Sequence, residues 1–149
     1  MTDYTTLVRQ AESLVSGVPH LTANLANISA LLYTSLESIN WAGFYLSEGE
    51  KLILGPFQGN PACVEIPYGK GVCGTAAAAD SVQLVPDVHA FPGHIACDSA
   101  SRSEIVIPIH KNDKVIGVLD IDSPVLSRFS EEDRDGLEQL VKTLEQQLF

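Results

Sequence analysis

Basic residues are scarce in this chain: nine Lys and Arg stand against 19 Asp and Glu, giving a formal net charge of −10 and a pI near 4.6. Such a field repels phosphate backbones and anionic lipid, so neither nucleic acid nor a membrane is expected as a partner. No apolar run approaches the roughly 20 residues that a membrane span requires. Met1-Thr2-Asp3-Tyr4 leads into a mixed polar segment, with no basic stretch followed by an apolar one. No secretory signal is read there, and a cytoplasmic, reducing compartment is expected. Repeats, low-complexity segments and linkers are also missing, so residues 1–149 are expected to form one domain, large enough to bury a core without staples. Gly69-Lys70-Gly71 lacks Walker spacing and is followed by Val72, which leaves no case for a nucleotide-phosphate site.

Cysteine is sparse too. Only Cys63, Cys73 and Cys97 occur, all in the middle third. An odd number cannot be exhausted by structural disulfides. Buried packing residues, metal ligands and redox catalysts all remain open for them. A zinc site built from these cysteines with His89 or His94 is disfavoured, because no Cys-x2-4-Cys knuckle is present. No metal or cofactor is expected.

What is present reads as alternating element types. Leu7, Val8, Ala11, Leu14 and Val15 recur at helical spacing up to Gly17-Val18-Pro19, and Leu21, Leu25, Ile28, Leu31, Leu32 and Leu36 form a second helical stripe. Strands are expected at 41–46, 51–54 and 63–67, with Ser47-Glu48-Gly49-Glu50 as a hairpin turn. A small-residue helix opens at Gly69 and runs through Ala79, followed by a strand at 82–85. Residues 87–103 show no sustained period and are expected to form a long functional loop. Two strands, 104–109 and 115–121, flank Lys111-Asn112-Asp113. Ser130 and Asp133 mark a capping-box start for a terminal helix whose core face is Leu137, Leu140, Val141, Leu144 and Leu148. The expected class is α+β: a central, largely antiparallel sheet with N-terminal helices and a C-terminal helix packed on it.

Two groups of side chains stand out. Asp120 and Asp122, two apart on a strand, face the same side, while Leu119 and Ile121 face the other. A solvated strand end would look similar. Clustered carboxylates, however, raise the proton affinity of at least one member and can keep an acid neutral near pH 7. Trp41, the only tryptophan, shares a strand face with Tyr45; such a pair is by default a packing element.

The segments Asn40-Trp41-Ala42-Gly43-Phe44-Tyr45, Gly69-Lys70-Gly71-Val72-Cys73-Gly74, His94-Ile95-Ala96-Cys97-Asp98 and Gly117-Val118-Leu119-Asp120-Ile121-Asp122-Ser123 resemble the free methionine-(R)-sulfoxide reductases, a GAF-domain family. The resemblance spans nearly the whole chain, and the three cysteines combined with Glu104, Asp120 and Asp122 are its most specific part. It implies a GAF-like catalytic domain and reduction of free L-methionine (R)-S-oxide. Cys97 would be the nucleophile, and Glu104, Asp120 and Asp122 would lie in the substrate pocket. Trp41 and Tyr45 would form an aromatic wall against the methyl-sulfinyl end. It also implies a thioredoxin-like reductant and a homodimer.

The residue chemistry is consistent with that assignment. A sulfoxide sulfur is a poor electrophile until its oxygen is protonated or strongly hydrogen-bonded. Its reduction therefore needs a thiolate, an acid near the oxygen and a second thiol to discharge the oxidised sulfur. His94 or Arg102 would favour a thiolate at Cys97. Cys63 is the first choice as resolving thiol and Cys73 the second, and the sequence does not decide between them. The competing reading is a GAF-type sensor that binds a small ligand without turnover. Sensors of that kind usually sit in longer chains with output domains, for which 149 residues leave no room.

Overall fold

The computed structural model describes residues 2–95, 97 and 99–149; Met1, Ala96 and Asp98, two of which belong to the Cys97 segment quoted above, lie outside the described residues. Four helices, α1 (Tyr4–Val15), α2 (Leu21–Ser35), α3 (Gly71–Ala79) and α4 (Glu131–Leu148), surround six strands. The strands are β1 (Trp41–Glu48), β2 (Lys51–Gly59), β3 (Glu65–Pro67), β4 (Gln83–Val85), β5 (Ser103–Lys111) and β6 (Lys114–Ser123). They form one sheet in the order β3-β2-β1-β6-β5-β4, antiparallel at every pairing. The α+β class and the antiparallel sheet are as expected from the sequence. Among the described residues no helix is long and apolar enough to cross a membrane.

Period-two alternation sorts the central strands into two cores. Ala42 and Phe44 of β1, Ile105, Ile107 and Ile109 of β5, and Leu119 and Ile121 of β6 join the apolar stripes of α1, α2 and α4 on one face. The opposite face carries Trp41, Tyr45, Val106 and Val118, covered by α3 through Val72, Cys73, Ala76 and Ala77. The terminal helix begins as its sequence predicts. Ser130 accepts from the Asp133 backbone, and the Asp133 side chain accepts from the Ser130 backbone. This reciprocal cap satisfies two donors left over by the first turn.

Three expectations need correction. Strand β1 continues through Glu48, so the hairpin turn is Gly49-Glu50, and β2 runs on to Gly59 rather than ending at 54. The third strand starts at Glu65, leaving Cys63 in the preceding connection. The segment 87–103 is not structureless: Val88–Ala90 forms a 3-10 turn capped by the Asp87 side chain, and Ser103 already belongs to β5. Its backbone is anchored by Val88 N–H to the Arg102 carbonyl (2.9 Å) and Gly71 N–H to the Gly93 carbonyl (3.1 Å).

Candidate active site

Strand order places the predicted residues side by side. Asp122 on β6 lies opposite Trp41 on β1 and opposite Glu104 on β5, while Asp120 lies opposite Gly43 and Val106. Because alternate residues share a face, Trp41, Tyr45, Glu104, Asp120 and Asp122 converge on the α3 side of the sheet. They line one cavity of about 50 Å³ together with Cys73 and Cys97.

The aromatic wall is built by a close approach of backbones. A Cβ on Gly43 would stand 2.2 Å from the Phe57 Cβ, so only glycine lets Phe57 settle here. Phe57 stacks on Trp41 at 5.1 Å between ring centroids, and Trp41 stacks on Tyr45 at 6.0 Å. The polar ends of the two cavity-lining rings both hold the segment that carries Cys63. Trp41 Nε1 donates to the Asn60 carbonyl (3.1 Å), and Tyr45 Oη donates to the Cys63 carbonyl (2.9 Å). Cys63 is thereby fixed from the sheet although it belongs to no strand.

Cys63 and Cys97 are joined in a disulfide, with their Cα atoms 5.4 Å apart. Of the two partners left open for Cys97, Cys63 is the bonded one. Cys73 is free and buried on α3, with its Sγ 3.9 Å from Glu104 Oε2. The bond takes up two of the three sulfurs that a cysteine–histidine zinc site would have used.

Glu104, Asp120 and Asp122 are all buried, at 8%, 5% and 9% exposure, which disposes of the solvated strand end. Burial is the main cause pushing the Glu104 carboxyl well above the ordinary carboxylate range, and the neighbouring Asp120 and Asp122 add to it. Burial raises Asp120 as well, against the hydrogen bonds from Glu104, Cys73 and Asp122. The Cys73 thiol is driven up by burial and then by the Asp120 and Glu104 charges. A carboxylate pair so close in low dielectric cannot both ionise cheaply, so the cluster retains a neutral acid. Asp120 Oδ1 is buried with no hydrogen-bond partner among the described residues.

His94 lines the same cavity. Burial, and then His89 in edge-to-face contact at 5.9 Å, lower its pKa. Both causes favour the neutral imidazole while Cys97 is held in the disulfide, a form in which the ring can hydrogen-bond. Sequence reasoning missed three contributors. Ser101, buried, accepts from Asn40 Nδ2 at 3.3 Å and lines the cavity. Lys70 and Ile66 line it as well. Lys70 carried a signal as the cation immediately before α3; Ser101 carried none within its polar loop.

Residues 20–148 match the GAF domain family. The free methionine-R-sulfoxide reductase of Escherichia coli is 58% identical over 145 residues, covering 97% of this chain and 88% of that protein. The chain belongs to the free methionine-R-sulfoxide reductase family of GAF domains. Two solved structures agree with that placement. The fRMsr of Staphylococcus aureus in complex with substrate superposes with a TM-score of 0.95 at 58% identity, covering 100% of this chain and 97% of that one. The free methionine-R-sulfoxide reductase from Neisseria meningitidis, in complex with its substrate, gives 0.93 at 46% identity, covering 97% and 87%. The free methionine-R-sulfoxide reductase fold is thus the frame in which the cavity, the disulfide and the acid cluster are to be understood.

Proposed function

We propose that this chain reduces free L-methionine (R)-S-oxide to L-methionine, with residues 1–149 acting as one catalytic unit. The observation that carries this reading is the Cys63–Cys97 disulfide beside a cavity lined by stacked aromatic rings and buried carboxyl groups. A sensor that only binds its ligand has no use for a redox pair placed against a neutral acid.

The chemistry runs in three steps. The Cys97 thiolate attacks the substrate sulfur while the Glu104–Asp120–Asp122 cluster protonates the sulfoxide oxygen; the hydroxyl then passes to the Cys97 sulfur as the new S–S bond breaks, releasing methionine and leaving Cys97 as a sulfenic acid. The Cys63 thiol then attacks the sulfenic sulfur, forming the disulfide and releasing water. A thioredoxin-like dithiol reduces that disulfide by exchange, and its own thiols become oxidised. Trp41 and Tyr45 receive the methyl-sulfinyl end, and a carboxylate of the cluster holds the ammonium group. Lys70 and the first turn of α3 suit the substrate carboxylate. At about 50 Å³ the cavity of the disulfide form is far below the roughly 300 Å³ at which ligand pockets begin. Substrate therefore enters the reduced form, in which Cys97 is no longer tied to Cys63. A homodimer is the assembly in which we expect the enzyme to work.

The test is turnover of the separated epimers of free methionine sulfoxide with a dithiol reductant. Consumption of the R epimer alone is expected, with Cys97→Ser inactive. Activity retained in Cys97→Ser would remove the nucleophile assignment, and binding without turnover of either epimer would restore the sensor.

A further inference from the structure

Cys73 is the one thiol that the reaction above leaves unused, and its surroundings are those of a ligand set. Its Sγ, a Glu104 carboxylate oxygen and an Asp120 carboxylate oxygen all lie within 4.8 Å of one another, and all three residues are buried. Asp120, 5% exposed, has its Oδ1 buried without a hydrogen-bond partner among the described residues and lines the same cavity.

We propose that Cys73, Glu104 and Asp120 bind a thiophilic divalent cation, Zn²⁺ in the first instance, and that the bound ion blocks the substrate cavity.

The donor chemistry favours zinc over harder ions. One sulfur with two carboxylate oxygens matches its mixed S/O preference, whereas Mg²⁺ and Ca²⁺ require six or more oxygens. With Zn–S near 2.3 Å and Zn–O near 2.0 Å, tetrahedral donors stand about 3.5 Å apart. The observed spread of up to 4.8 Å needs a contraction of up to about 1.3 Å, within reach of side-chain rotation. The fourth position falls to water. Size points the same way: about 50 Å³ excludes methionine sulfoxide yet accommodates a partly dehydrated ion. The ion would not be a resident cofactor, because it would occupy the carboxylates needed at the sulfoxide oxygen. This blocking role, unlike the binding itself, rests on the reductase reading.

The disulfide form makes the experiment clean, since Cys63 and Cys97 cannot ligate and Cys73 is the only thiol left. Co²⁺ titrated into the oxidised protein should give a thiolate-to-metal charge-transfer band saturating at one ion per chain, and Zn²⁺ should displace it. The band should vanish in Cys73→Ser. X-ray absorption of the zinc-loaded oxidised wild type should show one sulfur at about 2.3 Å among oxygen ligands, a readout independent of how any variant folds. An oxidised wild type that binds no Co²⁺, a band that survives Cys73→Ser, or zinc bound without sulfur would each overturn the site. Stoichiometric turnover by pre-reduced, reductant-free enzyme should be lost on adding one equivalent of Zn²⁺ and return with a chelator. Full turnover with the ion bound would overturn the blocking role. Absence of turnover in metal-free enzyme would instead refute the reductase reading and leave the metal site standing.

Discussion

Tyr45 illustrates how one side chain can serve two tasks. Its ring belongs to the cavity wall, while its hydroxyl holds the Cys63 carbonyl. Losing one such hydrogen bond costs about 1 kcal/mol, or about fivefold in the population of the held conformation. Tyr45→Phe keeps the ring and removes only the tether. Single-turnover measurements should therefore show methionine release near the wild-type rate and disulfide formation slowed severalfold. Equal slowing of both steps would place the hydroxyl in the chemistry itself. At this scale the sequence was informative wherever a residue type is chemically unusual. Three thiols and three carboxyl groups could be singled out from spacing and resemblance. The tether could not, because the donor and the Cys63 carbonyl lie 18 positions apart and a carbonyl carries no residue-specific signal.

At the level of elements, three pieces of the fold meet at His110. Nε2 contacts Asp80, the C-cap of α3, at 2.5 Å, and Nδ1 contacts Glu145 of α4 at 2.8 Å. Glu145 also accepts from the His110 backbone N–H. Burial lowers the imidazole pKa, but the hydrogen bonds and charges of Asp80 and Glu145 outweigh it and the net direction is up. Arg134, Glu138 and Lys142 of α4 line a surface cleft together with His110, Asp80 and Glu145. Since the folded-state pKa exceeds the unfolded value of about 6.5, this tie contributes fully below that value. Its contribution is lost as pH rises through the folded-state pKa. Thermal unfolding of His110→Gln against wild type should show a deficit at pH 6 that narrows on the alkaline side. A constant deficit would mean packing, not charge, is what His110 supplies. Nothing in the sequence marked this histidine, whose partners are 30 and 35 residues away. Helices with a clear stripe and a cap, by contrast, were legible to within a residue or two. The short strand β3 was misplaced because alternation over so few residues also fits the connection before it.

Across the whole molecule, the first and last helices clasp each other. Tyr4 Oη donates to Asp133 at 2.5 Å, and its ring lies so close to α4 that a Cβ on Gly136 would stand 2.1 Å from it. Helix propensity alone predicts that Gly136→Ala stabilises by about 1 kcal/mol. Overpacking of this kind costs about 1–3 kcal/mol, and here it should win. Chemical denaturation should show Gly136→Ala less stable than wild type and the order reversed when both proteins carry Tyr4→Ala. Gly136→Ala stabilising in the presence of Tyr4 would mean the helices part at little cost. The overall class was legible because alternating and helical periods separate cleanly along the chain. Strand order was not, since β1 pairs with β6, about 75 positions away, and only that pairing sets Trp41 opposite Asp122.

That same alternation along β5 and β6 makes the sheet a partition. Glu104, Asp120 and Asp122 look toward the cavity; Ile105, Leu119 and Ile121 look toward the helices and are wholly buried there. Neighbours in the chain thus meet different physical demands, one set reactivity and the other cohesion. A lineage can rewrite one side of these strands while the other stays put, so new chemistry need not be purchased with a new scaffold.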